Sequence, residues 1–399
     1  MDTSAMLHLE ELNPSRSLLE NSEKIKEIVT TLHESIDLAF LRNKIKEIVE
    51  TYYDLGEVVE VYEIFGGYIN RSFGIYVEKN GERYEYFVRK YKKGITEKEI
   101  LFEHSLINYS VEHGLEMAAG VIHARDGMTY VKLTEEVDGK ICVDYYAIYE
   151  YLSGEDKYAW DDNIMTDGEY ASAAEVLATF HNAAKDFDPK GLERAEPKIM
   201  DFLPTLPKLY KEFAKLEFNN KFHKYYVKNL DRILEVIEIS QIPQAEIRKM
   251  PLVPIHCDFH PGNLKFKDNK AVGIFDFDWS KIDLRLFDVC LALAYCCSPW
   301  EDEKDGTLLL DKCEIFLKSY QNKLKELGGL ETFNETEKKY FPTMMAAANI
   351  YLINWDVTAY YDNPTLNIYE QKTYLVHNVK LMNWIENHKN DLALLVNSI

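Results

Sequence analysis

Residues 255–280 read IHCDFHPGNLKFKDNKAVGIFDFDWS, and the reading of this stretch decides the fold. NLKF and AVGIFDF are two short strands joined by the turn KDNK, whose residue types favour a tight reversal. Asp258 and Asn263 lie before the first strand and Asp276 lies at the end of the second. The hairpin therefore carries three oxygen-bearing side chains to one of its ends. Asp278 follows two residues later, where strand alternation can turn it to the same side as Asp276. His256 and His260 flank Asp258. Histidine and carboxylate ligands suit zinc, but a zinc site built from His256, Asp258 and His260 would leave the hairpin and Asp276 unexplained. His256 reads instead as a core histidine bonded to backbone carbonyls, and His260 either lines a substrate or is a solvated loop residue.

Three hard oxygen donors at one end of a hairpin suit phosphoryl transfer from Mg-ATP. One carboxylate orients the attacking hydroxyl and accepts its proton, while an amide and a second carboxylate bind the Mg²⁺ that bridges the phosphates. The spacing His256-x-Asp258-x4-Asn263 repeats that of a kinase catalytic loop. By itself this is a modest signal; joined to the hairpin and Asp276 it becomes a strong one.

HCDFHPGNLKF, GIFDFDWS and DLRLFDVCLAL together resemble the aminoglycoside phosphotransferase, choline kinase and homoserine kinase family of small-molecule kinases. The resemblance runs in order over residues ~57–300. It implies an α+β, two-lobed, protein-kinase-like fold with a small β-rich N-lobe and a larger, mostly helical C-lobe. It further implies Asp258 as the catalytic base, Asn263 and Asp276 as magnesium ligands, and Asp288 as a support for the loop. GGYINRSF resembles the loop that covers the phosphates, which nominates Gly66, Gly67, Asn70, Arg71 and Ser72. In YFVRKY the phosphate-pairing cation falls on Arg89, or on Lys90 if the register slips by one, and FEHSL supplies its partner carboxylate, Glu103. Glu150, Tyr151 and Leu152 resemble the hinge that pairs adenine, and LATFHNA resembles a family helix that carries His181. Cys257 stands where the family commonly has glycine, and Asp276 is preferred to Asp278 because it directly follows GIF. No activation segment follows, which disfavours a protein substrate.

Working outward, residues 17–53 show apolar spacing of two short helices, and strands follow from 57 to 91, with Asn80-Gly81 marking a hairpin turn. Thr96 and Glu99 form a capping box that opens the next helix, and Gly114 closes it. After two further strands the chain is mostly helical. This gives a helical extension over 1–55, an N-lobe over 56–152 and a helical C-lobe over 153–399. The extension reads as a lid, a dimer contact or a brace on the small lobe; oligomeric state is not legible.

The chain has 399 residues, with 46 Lys+Arg against 67 Asp+Glu for a formal charge of −21. So acidic a field does not draw nucleic acid or anionic lipid. No apolar run approaches the ~20 residues of a membrane span, and the start lacks the pattern of a signal peptide. The six cysteines (Cys142, Cys257, Cys290, Cys296, Cys297, Cys313) match no zinc spacing and read as buried free thiols of a cytoplasmic protein. The expected activity is transfer of the γ-phosphate of ATP, with Mg²⁺, to a hydroxyl of a small molecule such as an amino alcohol, an aminoglycoside, homoserine or a sugar. YAWDDN (158–163) and NWDVTAYYDN (354–363) are candidate walls for this acceptor. Trp160, Trp355 and Asp356, with His260 and Asp278, are its candidate contacts, and their mixture of aromatic and acidic groups suits an amine. The alternative is a non-catalytic nucleotide-binding scaffold of the same fold, against which the intact trio of Asp258, Asn263 and Asp276 argues.

Overall fold

The structure, a computed structural model, describes residues 38–64, 70–137, 140–363 and 366–399. The chain divides into two compact units. The first comprises the described residues up to Ile95 with Val121–Tyr151, and the second Thr96–Gly120 with Leu152–Ile399.

The first unit is built on a five-stranded antiparallel sheet behind helix α1, described over residues 38–52. Its strands are β1 (Glu57–Ile64), β2 (Arg71–Lys79) and β3 (Glu82–Lys90), then β4 (Val131–Val137) and β5 (Lys140–Glu150), in the spatial order β1-β2-β3-β5-β4. Asn80 and Gly81 both have positive φ (55° and 83°), the geometry of a two-residue hairpin turn that glycine adopts without strain. Leu41, Ile45, Ile48 and Val49 recur at helical spacing on α1 and pack against Phe73, Ile75 and Val77 of β2, Val88 of β3 and Tyr146 and Ile148 of β5. The described part of the N-terminal segment packs on the sheet as a brace would.

In the second unit, helix α2 (Glu97–Glu112) starts at the capping box of Thr96 and Glu99 and is followed by Gly114 at φ +109°. The sequence reading grouped this helix with the sheet. In the structure it belongs with the helical unit: Phe102 and Tyr109 set their rings edge-on against Phe187, and the backbone of Met117 and Ala119 pairs with Ile274. Helix α3 (Asp167–Ala184) is followed by α4 (Lys221–Ile239), α5 (Arg285–Cys297), α6 (Leu310–Leu327), α7 (Glu335–Asp362) and α8 (Ile368–Asn387). Two small antiparallel pairs interrupt the helices. One joins β6 (Leu252–Ile255) to β9 (Lys281–Leu284), and the other joins β7 (Leu264–Lys267) to β8 (Lys270–Ile274). The turn between β7 and β8 places Asp268 and Asn269 at φ 52° and 58°, so KDNK closes as a two-residue hairpin.

Five of the six cysteines are buried free thiols, as expected, but Cys142 on β5 is exposed. Among the described residues no helix is long and apolar enough to cross a membrane.

Candidate active site

The loop between β6 and β7 is held from three sides. Asp288, at the start of α5 and fully buried, accepts the backbone N–H of His256 (2.9 Å) and of Cys257 (2.8 Å). His181 of α3 stands behind it, with Nε2 2.9 Å from Asp288 and Nδ1 2.7 Å from the Tyr320 hydroxyl. His256 donates from Nε2 to the Phe275 carbonyl (3.0 Å), and the Phe275 N–H donates to the Asn263 carbonyl (3.1 Å). The start of β7 is thereby tied to the end of β8, which brings the backbone of Asn263 next to that of Phe275 and Asp276. His256 is buried and structural, and its Nε2 is committed to a carbonyl rather than to a metal.

Asp258 projects from this frame. The Asn263 amide nitrogen donates to its backbone carbonyl (2.8 Å) and to its Oδ2 (3.2 Å), and the Tyr295 hydroxyl donates to Oδ1 (3.1 Å). Burial pushes the Asp258 carboxyl up to about 6, with the Asp278 charge adding to it, while His256 and the Tyr295 and Asn263 hydrogen bonds pull the other way. His260 lies beside it, Nε2 3.7 Å from Oδ2, and burial lowers its pKa to about 4, so it is neutral near pH 7. Cys257 and Asp276 both adopt left-handed backbone, at φ 64° and 66°. Side chains tolerate this region poorly, so the surrounding hydrogen bonds must hold it in place.

Of the acceptor candidates, His260 and Asp278 belong to this loop and its hairpin and Trp355 meets Trp279 beside it, whereas the contact made by Asp356 is with α8. A Cβ on Gly262 would lie 3.3 Å from Cα of Ala159 and collide with the His260 ring, so only glycine lets residues 158–163 approach so closely. Asp161 is near enough to His260 for its charge to act on the ring, and Trp160 packs edge-on against Trp300 and Tyr374. Asp278 is buried, and its backbone carbonyl accepts from Arg194, whose guanidinium stacks over Trp279. Trp355 meets Trp279 edge-on at 4.4 Å, which brings α7 to the same loop. Asp356 is 8% exposed and accepts a hydrogen bond from Asn378 (2.8 Å); burial raises its carboxyl well above the usual range.

In the sheet unit, strand alternation separates the two candidate cations. Lys90 shares the face of Val88, which packs in the core with α1, and pairs with Asp144 at 2.8 Å. Arg89 is on the other face, buried, with its guanidinium 5.4 Å from the Tyr149 ring and 5.7 Å from that of Phe87. Arg71 pairs with Glu63 (2.9 Å), Ser72 lies opposite Ile64 and Arg89 in the sheet, and Asn70 accepts the Lys92 N–H (3.0 Å). Glu150 ends β5 across from Tyr86, while Tyr151 and Leu152 mark where the two units divide. Glu103 is buried on α2. Gly66 and Gly67 lie outside the described residues.

Sequence reasoning missed Tyr295 and Arg194. Tyr295 did leave a signal: a lone hydroxyl in the apolar run LALAYCC, seven residues and so about two helical turns after Asp288. Arg194 left none, because a loop arginine is ordinarily solvated.

Residues 61–326 match the family model described as "Phosphotransferase enzyme family". Curated relatives include the homoserine kinase of Paramagnetospirillum magneticum, 26% identical over 276 residues (67% of this chain, 74% of the relative). Another is the homoserine kinase of Ralstonia nicotianae, 24% identical over 306 residues (74% and 79%). Among solved structures, an amicoumacin kinase in complex with AMP-PNP has a TM-score of 0.61 at 15% identity, covering 88% of this chain and 95% of that one. A spectinomycin phosphotransferase with ADP and spectinomycin has a TM-score of 0.58 at 14% identity, covering 90% and 99%. The choline kinase of Cryptosporidium parvum has a TM-score of 0.54 at 15% identity, covering 89% and 98%. At these identities the structural likeness establishes the protein-kinase-like fold.

Proposed function

This chain belongs to the phosphotransferase enzyme family, and from that premise we propose that it transfers the γ-phosphate of Mg-ATP to the hydroxyl of a small, amine-bearing acceptor. It is a small-molecule kinase; the nucleotide, the metal, the acceptor class, a cytoplasmic location and the roles of individual residues are our reading. The observation that carries the residue roles is the cluster of Asp258, Asn263 and the β8 end, fixed by Asp288 from behind.

Asp258 is the base. It positions the acceptor hydroxyl and takes its proton as the phosphoryl group arrives, an effect that rests on orientation more than on basicity. Asn263 and Asp276 would hold Mg²⁺. Asn263 suits this because its amide nitrogen is spent on Asp258, leaving Oδ1 as the atom for a hard cation. When bound, the ion offsets the charge of the phosphates. Arg89 is the phosphate-pairing cation, since it lies on the strand face opposite that of Lys90, whose ammonium is already paired with Asp144. Glu103 is the carboxylate that the family resemblance assigns as its partner. By the same resemblance Asn70, Arg71 and Ser72 belong to the loop that covers the phosphates, and residues 150–152 to the hinge that takes the adenine.

An amine on the acceptor is supported by Asp356. No Lys or Arg among the described residues pairs with this buried carboxylate, whose hydrogen bond comes from a neutral amide. A buried carboxylate stays protonated unless a cation meets it, and an ammonium group that reached Asp356 would do so.

The test is ADP release from Mg-ATP by the purified protein across homoserine, ethanolamine, choline, aminoglycosides and neutral sugars. We expect stimulation by an amine-bearing acceptor and a fall of roughly 100-fold or more in Asp258→Asn, the usual size of a general-base contribution. Stimulation confined to neutral sugars would refute the amine. Full activity in Asp258→Asn would refute the base.

A further inference from the structure

We propose that Tyr295 is a positioning residue of this kinase, one that sets the orientation of the Asp258 carboxylate and so the rate of phosphoryl transfer. The inference rests on the reading of Asp258 as the base and goes beyond it, because the resemblance assigns nothing to position 295.

Helix α5 is buried along nearly its whole length, and residues 289–297 read VCLALAYCC. A phenol in such a run needs a polar partner for its hydroxyl, and Tyr295 has one in Oδ1 of Asp258, 3.1 Å away. The other oxygen of the same carboxylate receives the Asn263 amide at 3.2 Å. Each oxygen thus has its own donor from a separate element, one from a buried helix and one from the loop itself. Rotation about the carboxylate torsion, which is broad and shallow for aspartate, would break one or both bonds.

The tyrosine is itself anchored. Its ring lies 5.4 Å from that of His260, centroid to centroid, at 58°. The amide of Asn163, which is 1% exposed, donates to the backbone carbonyls of Tyr295 and of Ser298 (2.8 Å for the latter). One carbonyl lies in the last turn of α5 and the other on the residue that caps it, where helical partners run out. Asn163 therefore closes the helix end and fixes the residue whose hydroxyl reaches the base. The same asparagine ends the YAWDDN segment that flanks the loop. Burial, with the Asp258 charge and hydrogen bond added, raises the Tyr295 hydroxyl well above its ordinary pKa, so it remains a donor throughout the working pH range.

Phosphoryl transfer depends on the alignment of acceptor oxygen and phosphorus, and a base free to rotate spends much of its time out of line. Tyr295→Phe keeps the ring against His260 and removes only the hydroxyl. With the acceptor of strongest stimulation, and with Mg-ATP alone for the slow reaction with water, we expect kcat to fall about tenfold while KM for nucleotide and acceptor stays within about twofold. In an Asp258→Asn background the same substitution should change kcat by no more than about twofold, because its effect passes through the carboxylate. A crystal structure of Tyr295→Phe should show the Asp258 carboxylate rotated or split between orientations. An equal loss in both backgrounds, or a carboxylate unmoved in the variant, would overturn the proposal and leave Tyr295 a packing residue. Asp258→Asn turning over as fast as the wild type would sink the base assignment, and this proposal with it. An inactive Asp258→Asn beside a fully active Tyr295→Phe would sink only the role of the tyrosine.

Discussion

Cys257 concentrates the residue-scale physics of the loop. Its backbone sits at φ 64°, where an L side chain pays for a close approach of Cβ to its own carbonyl. The conformation is held because both its N–H and that of His256 go to Asp288, and because the thiol is buried with its sulfur 3.5 Å from the Tyr351 hydroxyl. Cys257→Gly would relieve strain of about 1 kcal/mol and forfeit a buried sulfur of similar worth, so its stability should stay within about 1 kcal/mol of the parent. Cys257→Val fills similar space but branches at Cβ, and it should cost about 2 kcal/mol or more. Urea unfolding of the two variants decides the matter: if valine were tolerated as well as glycine, left-handed backbone would not be what constrains this position.

At the scale of elements, the start of α3 links capping to charge. Thr166 and Glu169 form a reciprocal capping box, and Glu169 also takes Lys157 Nζ (2.7 Å) and the Tyr158 hydroxyl (2.8 Å). Burial alone would raise this carboxyl, but the bonds from Lys157, Thr166 and Tyr158 outweigh it and hold the pKa down at about 2. A carboxyl depressed in the folded state contributes stability that is fully present above its unfolded pKa of about 4.5 and is lost as pH falls toward 2. The depression corresponds to roughly 3 kcal/mol. Glu169→Gln should therefore destabilise the protein by about 2–3 kcal/mol at pH 7 and flatten the decline between pH 4.5 and 2. Chemical denaturation repeated across that window tests it, and an unchanged pH slope in the variant would mean that Glu169 is not the group responsible.

For the whole molecule, a formal charge of −21 is the dominant long-range feature. An ammonium-bearing acceptor approaches such a protein down a favourable potential, which salt screens over a Debye length of about 8–10 Å. We expect kcat/KM for the amine acceptor to fall severalfold as ionic strength rises from about 0.05 to 0.3 M, with kcat nearly constant, whereas a neutral hydroxyl acceptor should show little change. Stopped-flow ADP release at several salt concentrations measures this, and identical salt profiles for charged and neutral acceptors would remove electrostatic steering.

What the sequence by itself determined was everything that near neighbours control. The Asn80-Gly81 and Asp268-Asn269 turns, the capping box at Thr96, and the cluster of Asp258, Asn263 and Asp276 each depend on residues within about one hairpin of one another, and so they leave a pattern in the order of side chains. The tertiary structure alone decided contacts between residues whose separation in sequence carries no period. Asp288 holds backbone N–H groups 31 and 32 residues away, and Tyr295 meets a carboxylate 37 residues away. Arg89 and Lys90 are adjacent in sequence, and only the packing of α1 on one face of the sheet assigns them to opposite environments. Asp356 reads in the sequence as a candidate acceptor contact, but its burial is decided only when α8 covers it with Asn378 and removes it from water. Burial is a property of the assembled chain, and it is burial that makes a hydroxyl, an amide or a carboxylate commit to one partner.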